Sequence, residues 1–142
     1  MKTMKLFAAL FCAVMTLAFT GCSKDDFEKD IVGTWKAISI TFTEVYDGQS
    51  HTETETPEGD SRITFNSDKT YQLTTDGEVV ARGTWNIKDD KLTMTITEGD
   101  GIGMENATID IDGSDMTLTM SESYSEGGRT MSITIVMKLK KV

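Results

Sequence analysis

Residues 115–140 read DMTLTMSESYSEGGRTMSITIVMKLK, in which apolar and polar side chains alternate on both sides of a Gly-Gly pair. Alternation with a period of two is typical of β-strands that bury one face. A Gly-Gly connection favours the tight two-residue turn of a β-hairpin, with Glu126 opposite Arg129. In that register apolar residues meet apolar residues in the pairs Tyr124–Met131, Met120–Ile135, Leu118–Met137 and Met116–Leu139. The segment therefore predicts an antiparallel hairpin with one apolar face.

The same alternation continues upstream and predicts a longer series of strands. We expect eight strands, near 33–45, 61–66, 70–75, 78–87, 91–97, 105–112, 115–124 and 129–140. The intervening turns again keep the apolar faces together, in the pairs Ile111–Met116, Ile109–Leu118, Ile87–Leu92 and Trp85–Met94. Such a meander shelters its apolar face as a barrel or as a sandwich. Because short connections join sequential neighbours, the sequence favours an all-β, eight-stranded antiparallel up-and-down barrel.

Two segments need an irregularity to keep their apolar residues on the inner face. A two-residue turn at Asp76-Gly77 would direct the next strand's apolar residues outward, because a one-residue slip exchanges the faces. A three-residue turn, Thr75–Gly77, avoids this and predicts the pairs Leu73–Val79 and Tyr71–Ala81. In the first strand, a bulge must separate Trp35 from the apolar set Ile38, Ile40 and Phe42.

The first 21 residues have the parts of a secretory signal peptide. Lys2 and Lys5 precede an apolar run over 6–19, which is short for a transmembrane helix. The run ends in Phe19-Thr20-Gly21-Cys22, which resembles the lipobox of bacterial lipoproteins, although Phe19 stands where Leu is usual. The resemblance implies cleavage before Cys22 and acylation of that residue, by palmitate or a similar chain, so the membrane is an expected partner. A plain secretory signal with an incidental Cys22 is the alternative.

The residues after Cys22 predict how the protein is displayed. Residues 22–30 are charged and are expected to form an acidic flexible tether to a domain at 31–142. Ser23 resembles the residue that follows the lipidated cysteine in outer-membrane lipoproteins. Lys24-Asp25-Asp26 resembles an acidic tag that sends lipoproteins of some gut anaerobes to the cell surface. We therefore expect an outer-membrane lipoprotein exposed on the cell surface, with a solvated tether as the simpler interpretation of the charges.

Composition excludes several functions of the mature chain. Loss of Lys2 and Lys5 leaves 12 basic and 23 acidic residues, a net charge of −11. Nucleic acid is an unfavourable partner for such a surface, whereas a basic protein is a favourable one. Cys12 leaves with the signal and Cys22 carries lipid, so no disulfide, thiolate metal site or thiol nucleophile is expected. We predict a monomer without a cofactor.

Several motifs of the predicted barrel, in order along the chain, resemble those of the lipocalin-like domain of small bacterial lipoproteins. They are Gly33-Thr34-Trp35, Ile63-Thr64-Phe65, Asp68-Lys69-Thr70-Tyr71 and Gly83-Thr84-Trp85. In lipocalins the tryptophan of Gly-x-Trp plugs the closed end of the barrel beneath a basic residue of the last strand, usually arginine. Here the resemblance gives that place to Lys138 or Lys140. It also implies a binding domain rather than an enzyme.

The residues expected to line a ligand pocket are inward-facing aromatics and methionines. They are Trp35, Tyr71, Trp85, Met94, Met120 and Met131. The tryptophans serve equally well as core plugs, and the methionines as ordinary core residues. The segment from Tyr46 to Asp60, the longest expected loop, would flank the mouth.

No residue pattern points to catalysis or to a metal. His51 lies near three glutamates in a polar loop, where a solvated histidine is the simpler interpretation. The acidic run 110–115 lacks the spacing of a calcium loop and is explained by its turn. No nucleophile has a neighbouring base, so we predict no enzymatic activity and no metal site.

Two functions fit these observations. The first is a surface lipoprotein whose barrel binds a small apolar ligand. The second is a protein-interaction module with a solid interior, such as an inhibitor of a basic hydrolase or a subunit of a surface assembly. An interior cavity of roughly 300 Å³ or more, open at one end, would favour the first function.

Overall fold

A computed structural model describes residues 24–101 and 103–142, so the expected signal peptide and Cys22 lie outside the described residues. The elements are α1 (Lys24–Ile31), β1 (Gly33–Tyr46), β2 (Gln49–Glu55), β3 (Ser61–Phe65), β4 (Thr70–Thr75), β5 (Glu78–Lys88), β6 (Lys91–Gly99), β7 (Met104–Asp112), β8 (Asp115–Glu126) and β9 (Arg129–Lys141). The strands form one antiparallel sheet in the order β2-β1-β3-β4-β5-β6-β7-β8-β9, and β1 also pairs with β9. This closes an eight-stranded barrel with β2 outside it. The predicted all-β barrel is confirmed.

The hairpin registers follow from the apolar alternation as predicted. In β8–β9, Glu126 pairs with Arg129 and the four predicted apolar pairs all occur. The pairs predicted for β7–β8 and for β5–β6 occur as well. Gly127 and Gly128 have φ angles of 59° and 80°. A turn with two left-handed residues matches the twist of the strands that it joins, and glycine adopts that conformation without a steric penalty.

The predicted three-residue turn between β4 and β5 is wrong. Thr75 pairs with Glu78, which leaves Asp76 and Gly77 as a two-residue turn, both with positive φ. A bulge then shifts the register, so Leu73 pairs with Ala81 rather than Val79. The bulge leaves Val80 exposed while Ala81 and Trp85 are buried. The bulge therefore returns the apolar residues of β5 to the inner face. The shorter turn is possible because Asp tolerates the left-handed conformation.

The bulge required in β1 is present. The register against β9 shifts between Ala37 and Ser39, and Ile38 at the shift is 44% exposed. A β-bulge inserts one extra residue, so it reverses the parity of the side chains that follow. Trp35 before the bulge and Ile40 after it therefore contact the same core.

Strand β2 corrects the expected loop between Tyr46 and Asp60. Residues 49–55 pair with the outer half of β1, from Ile40 opposite Glu55 to Tyr46 opposite Gln49. Asp47 and Gly48 form the turn, both with positive φ. All seven side chains of β2 are exposed. The strand is held by backbone pairing rather than by apolar burial, and hydroxyl pairs such as Thr41–Thr54, 3.0 Å apart, support it.

Helix α1 corrects the expected tether, because residues 24–30 are helical rather than extended chain. Ile31 at the end of the helix is fully buried, and Phe27 one turn earlier contacts the core. The carboxylate of Glu28 lies 2.9 Å from Lys69 Nζ. These contacts attach the helix to one end of the barrel, which we call the closed end.

The core is concentrated at the closed end. Its largest fully buried side chains are Trp35, Tyr71, Phe65, Ile31, Leu92, Ile109, Met116, Leu118 and Leu139. The other end, which we call the open end, holds the outer half of β1, all of β2 and the β8–β9 turn. There the side chains of residues 121–130 are all exposed. The barrel is thus filled at one end only.

Candidate binding sites of the barrel

Trp35 is held at the closed end by its indole nitrogen and by its ring. Trp35 is fully buried, and its Nε1 donates a hydrogen bond to the carbonyl oxygen of Ile31 at 2.7 Å. Lys141 Nζ lies 5.1 Å from the ring centroid and donates to the carbonyl oxygen of Asp30 at 2.9 Å. The basic residue over the tryptophan is therefore Lys141, and the expectation of Lys138 or Lys140 is wrong. Parity explains this, because Lys141 pairs directly with Trp35 across β9 and β1.

The second tryptophan repeats this arrangement on other strands. Trp85 Nε1 donates to the carbonyl oxygens of Asn66 and Thr70, each at 3.1 Å. Lys69 Nζ lies 4.2 Å from the Trp85 ring centroid, and Phe65 meets the ring edge-on at 5.9 Å. A buried indole requires a partner for its N–H, and backbone carbonyls supply it here. Both tryptophans are therefore core residues with satisfied polar groups.

Tyr71 differs from the tryptophans because its polar atom has no partner. The ring is buried, and the hydroxyl oxygen makes no hydrogen bond to any described residue. Burial raises the pKa of the Tyr71 phenol, so the group stays protonated at neutral pH. Gly83 makes space for the ring, since a Cβ there would lie 2.7 Å from Tyr71 Cε1 and in collision with the Thr95 carbonyl oxygen. The interior thus holds one unsatisfied hydroxyl.

An apolar pocket of about 210 Å³, which we call the mouth pocket, occupies the interior toward the open end. Its apolar lining comes from seven strands and includes Ile40, Ile63, Leu73, Val80, Met94, Met104 and Met137. Pro57 lines it from the segment between β2 and β3, and Gly101 from the β6–β7 loop. A Cβ on Gly101 would lie 2.9 Å from Leu73 Cδ1, so this loop folds inward over the pocket.

Charged groups at the rim of the pocket form a network of ion pairs. Arg62 lines the pocket, and its Nη2 lies 2.7 Å from a carboxylate oxygen of Asp60. Lys36 Nζ lies 3.3 Å from the other carboxylate oxygen. The hydrogen bond from Arg62, with a further one from Lys36, holds the pKa of Asp60 below its usual value. The rim therefore pairs the Arg62 guanidinium with a carboxylate, and Asp100 adds a further carboxylate to the lining.

The structure distributes the six predicted pocket residues among four places. Met94 lines the apolar pocket. Trp35, Tyr71 and Trp85 lie in the core nearer the closed end. Met120 borders a second, more polar groove, and half-buried Met131 pairs with Tyr124 at the open end. Sequence reasoning missed Leu73 and Met104 as lining residues. The inward parity of Leu73 could be predicted, whereas Met104 is buried out of step with Ala107 and Ile109, across the irregularity at Asn106.

The other sequence candidates lie on exposed segments. His51 is exposed on β2, opposite Glu44 of β1. Within residues 24–101 and 103–142, no group of three or more His, Cys, Asp or Glu side chains is placed to hold a metal ion. In the same ranges, no helix has the length and apolar character needed to cross a bilayer.

The barrel, its closed-end tryptophans and its mouth pocket define a class of small β-barrel binding domains. The family model of the lipocalin-like domain matches residues 31–118, more than half of the chain. The chain therefore belongs to the lipocalin-like domain family. No curated protein and no solved structure matches it.

Proposed function

We propose that the chain is a surface-anchored, non-enzymatic lipoprotein whose barrel binds a small apolar ligand in the mouth pocket. The observation that carries this proposal is the pocket itself, with an apolar lining drawn from seven strands. Sites for small molecules combine an apolar lining with a few polar groups that orient the ligand. Here those groups are at the rim, where Ser61, Arg62 and Asp100 line the pocket.

The size of the pocket limits the ligand. At about 210 Å³ it is smaller than the 300 Å³ that we set as the sign of a carrier, and below the range of roughly 300–1,000 Å³ for drug-sized ligands. A compact apolar molecule, or the apolar end of a longer amphiphile, fits this volume. Because Arg62 is already paired with Asp60, it does not offer a free charge to a polar end of the ligand. Such a polar end would therefore remain near the rim, in contact with water.

The position of the lipid anchor supports uptake from the medium rather than from the protein's own membrane. Cys22 precedes the first residue of α1 by two positions, which span roughly 7 Å of extended chain. Since α1 packs on the closed end, acylation of Cys22 would hold that end near the bilayer. The mouth would then face away from it. The acidic stretch Lys24-Asp25-Asp26 supports display on the outer surface of the cell.

The alternative proposal is a protein-interaction module with a solid core. The mouth pocket argues against a solid interior, although it does not reach the volume expected of a carrier. The acidic surface that favoured a basic partner is still present, with a net charge of −9 for the whole chain.

Native mass spectrometry of the protein purified from its own host tests the proposal. We expect a fraction of the wild-type protein to carry an added mass that organic solvent extracts as an apolar compound. Leu73→Trp fills the pocket from β4 and should abolish that fraction. Ile38→Trp adds the same ring outside the barrel, where Ile38 is exposed, and should retain it.

Two results would overturn the apolar-ligand proposal. One is wild-type protein that carries no added mass under conditions that preserve known lipid complexes of other proteins. The other is equal retention of the added mass by Leu73→Trp and Ile38→Trp. Thermal melting of both variants verifies that each one is folded.

A further inference from the structure

One edge of β8 lacks a partner strand over its second half. Residues 115–119 of β8 pair with β7, but the pairing stops at Thr108 opposite Thr119. Residues 120–126 continue for seven more positions and pair with β9 alone among the described strands. A free strand edge presents backbone donors and acceptors that a further strand can use.

The geometry of the β8–β9 turn identifies which backbone groups are free. Residues that flank a two-residue hairpin turn bond to each other, and bonding then alternates along the strand. Because Glu126 flanks the turn, the even-numbered residues of β8 bond to β9. Ser121, Ser123 and Ser125 therefore direct their N–H and C=O groups to the open edge. The next such residue toward the closed end, Thr119, is the last that pairs with β7.

The neighbouring strand leaves this edge uncovered for a structural reason. The β6–β7 register shifts between Leu92 and Met94, and Asn106 in β7 has a φ of 54°. A bulge of this kind bends a strand out of its ladder. The loop that precedes β7 then folds inward over the mouth at Gly101 instead of continuing beside β8.

A groove of about 880 Å³ lies beside the free edge. Met120, Ser121 and Glu122 line it from β8, and residues 93–96 and 103–106 line it from the other side. It is separate from the apolar pocket, although Met94 and Met104 border both.

The charge of the groove specifies its occupant. Two carboxylates, Glu105 and Glu122, are in its lining, which contains no lysine or arginine. Glu126 lies further along β8 on the same face as Glu122. Self-association through this edge would bring Glu122 and Glu126 of two chains onto one sheet, where like charges repel. A strand that carries basic residues instead places opposite charges across the new ladder.

We propose that the free edge of β8 binds an extended, basic segment of another protein, which adds a strand alongside Ser121, Ser123 and Ser125. Main-chain hydrogen bonds supply the affinity in this mode of recognition, and alternate side chains supply the specificity. The added strand directs basic side chains toward Glu122 and Glu126 and small polar ones toward the serine face. This site goes beyond the proposed ligand pocket and does not depend on it.

The probe that follows from these faces is an eight-residue peptide of alternating Lys and Thr with blocked ends. Titration into ¹⁵N-labelled protein should shift the amide signals of Ser121, Ser123 and Ser125 and slow their hydrogen exchange. The matched peptide of alternating Glu and Thr should leave them unchanged. Raising the salt concentration should weaken the binding of the basic peptide, because the carboxylates of Glu105 and Glu122 are solvent-accessible.

Proline substitution tests the backbone contacts directly. Ser123→Pro removes an outward N–H without breaking the β8–β9 ladder, and should lower the affinity for the Lys-Thr peptide at least tenfold. Ser50→Pro is the matched control, because residue 50 faces outward on the other free edge, β2, by the same alternation from the Asp47-Gly48 turn. It should bind as wild type does. Glu105→Gln/Glu122→Gln should also weaken binding.

Three outcomes would overturn the proposal. Equal binding of the basic and acidic peptides would exclude charge selection. Equal affinities of wild type and Ser123→Pro, with both folded by their amide spectra, would exclude strand addition at this edge. Concentration-dependent dimerisation in sedimentation that Ser123→Pro abolishes would identify a second copy of this chain as the occupant. None of these outcomes bears on the apolar pocket.

Discussion

The two ends of the barrel are built from the same strands but differ in what their side chains contact. At the closed end, Trp35 and Trp85 are buried with their indole nitrogens bonded, and Ile31 of α1 belongs to the same core. At the open end, the sheet continues beyond the core and its side chains meet solvent, a pocket or a groove. The difference indicates that the packing at the closed end supplies most of the stability of the fold. The side chains at the open end can therefore be suited to binding.

Removal of a closed-end plug should give the largest effect. Trp35→Ala should lower the free energy of unfolding by about 3–5 kcal/mol, because a large buried side chain is replaced by a cavity. Tyr124→Ala, at an open-end position that is 53% exposed, should change it by less than about 0.5 kcal/mol. Urea denaturation measures both. Equal losses in the two variants would contradict the assignment of stability to one end.

A methyl group at Gly83 should give the next largest effect. Gly83→Ala should destabilise the fold by about 1–3 kcal/mol, because the new Cβ collides with the Thr95 carbonyl oxygen and the Tyr71 ring. Gly48→Ala is a control that meets no atom within 4 Å but, unlike Gly83→Ala, carries the penalty of a positive φ. A larger loss from Gly48→Ala, measured by thermal melting, would show that backbone strain rather than crowding dominates.

Loss of the Tyr71 hydroxyl should change the free energy of unfolding only slightly, and should stabilise the fold rather than destabilise it. Tyr71→Phe removes a buried oxygen that has no partner, so the free energy of unfolding should stay constant or rise by up to about 1 kcal/mol. Calorimetric melting of ligand-free protein measures the change. A loss of more than about 1 kcal/mol would reveal a partner for the hydroxyl in solution.

The ion pairs at the rim of the pocket should contribute least to the stability of the fold, and their contribution should depend on pH. Since the pKa of Asp60 is lowered in the folded state, its ion pairs stabilise the fold above the ordinary carboxyl pKa. This contribution disappears as pH falls through the lowered value. Asp60→Asn should therefore flatten the fall in melting temperature below about pH 4. An acid limb identical to that of wild type would exclude this role for Asp60.

Parity of apolar residues predicted most of the barrel and explains where prediction stopped. The turns at Gly127-Gly128 and Gly113-Ser114 were predictable because a register error would have exposed an entire apolar face. β2 carries no apolar alternation, so only the Asp47-Gly48 dipeptide signalled a hairpin there. The bulge at Val80 was not predictable, since a longer turn and a bulge restore the same face.

The candidate sites were harder to predict than the fold. The sequence indicated inward-facing residues, but their height along the barrel axis depends on strand stagger. This is why Trp85 is a plug whereas Leu73, on the adjacent strand, lines the pocket. The free edge of β8 depends on the bulge at Asn106, and no alternation of side chains signals where a neighbouring strand turns away.

Residue-resolved native-state hydrogen exchange tests the contrast between the two ends most directly. Backbone amides that are hydrogen-bonded around Trp35, Trp85 and Leu118 should exchange only by global unfolding, and denaturant should affect them uniformly. Amides of β2 and of residues 121–126 should exchange by local opening, at rates that denaturant hardly changes. If the amides along the full lengths of β8 and β9 all exchanged slowly, with the same free energy of opening, the account would be contradicted.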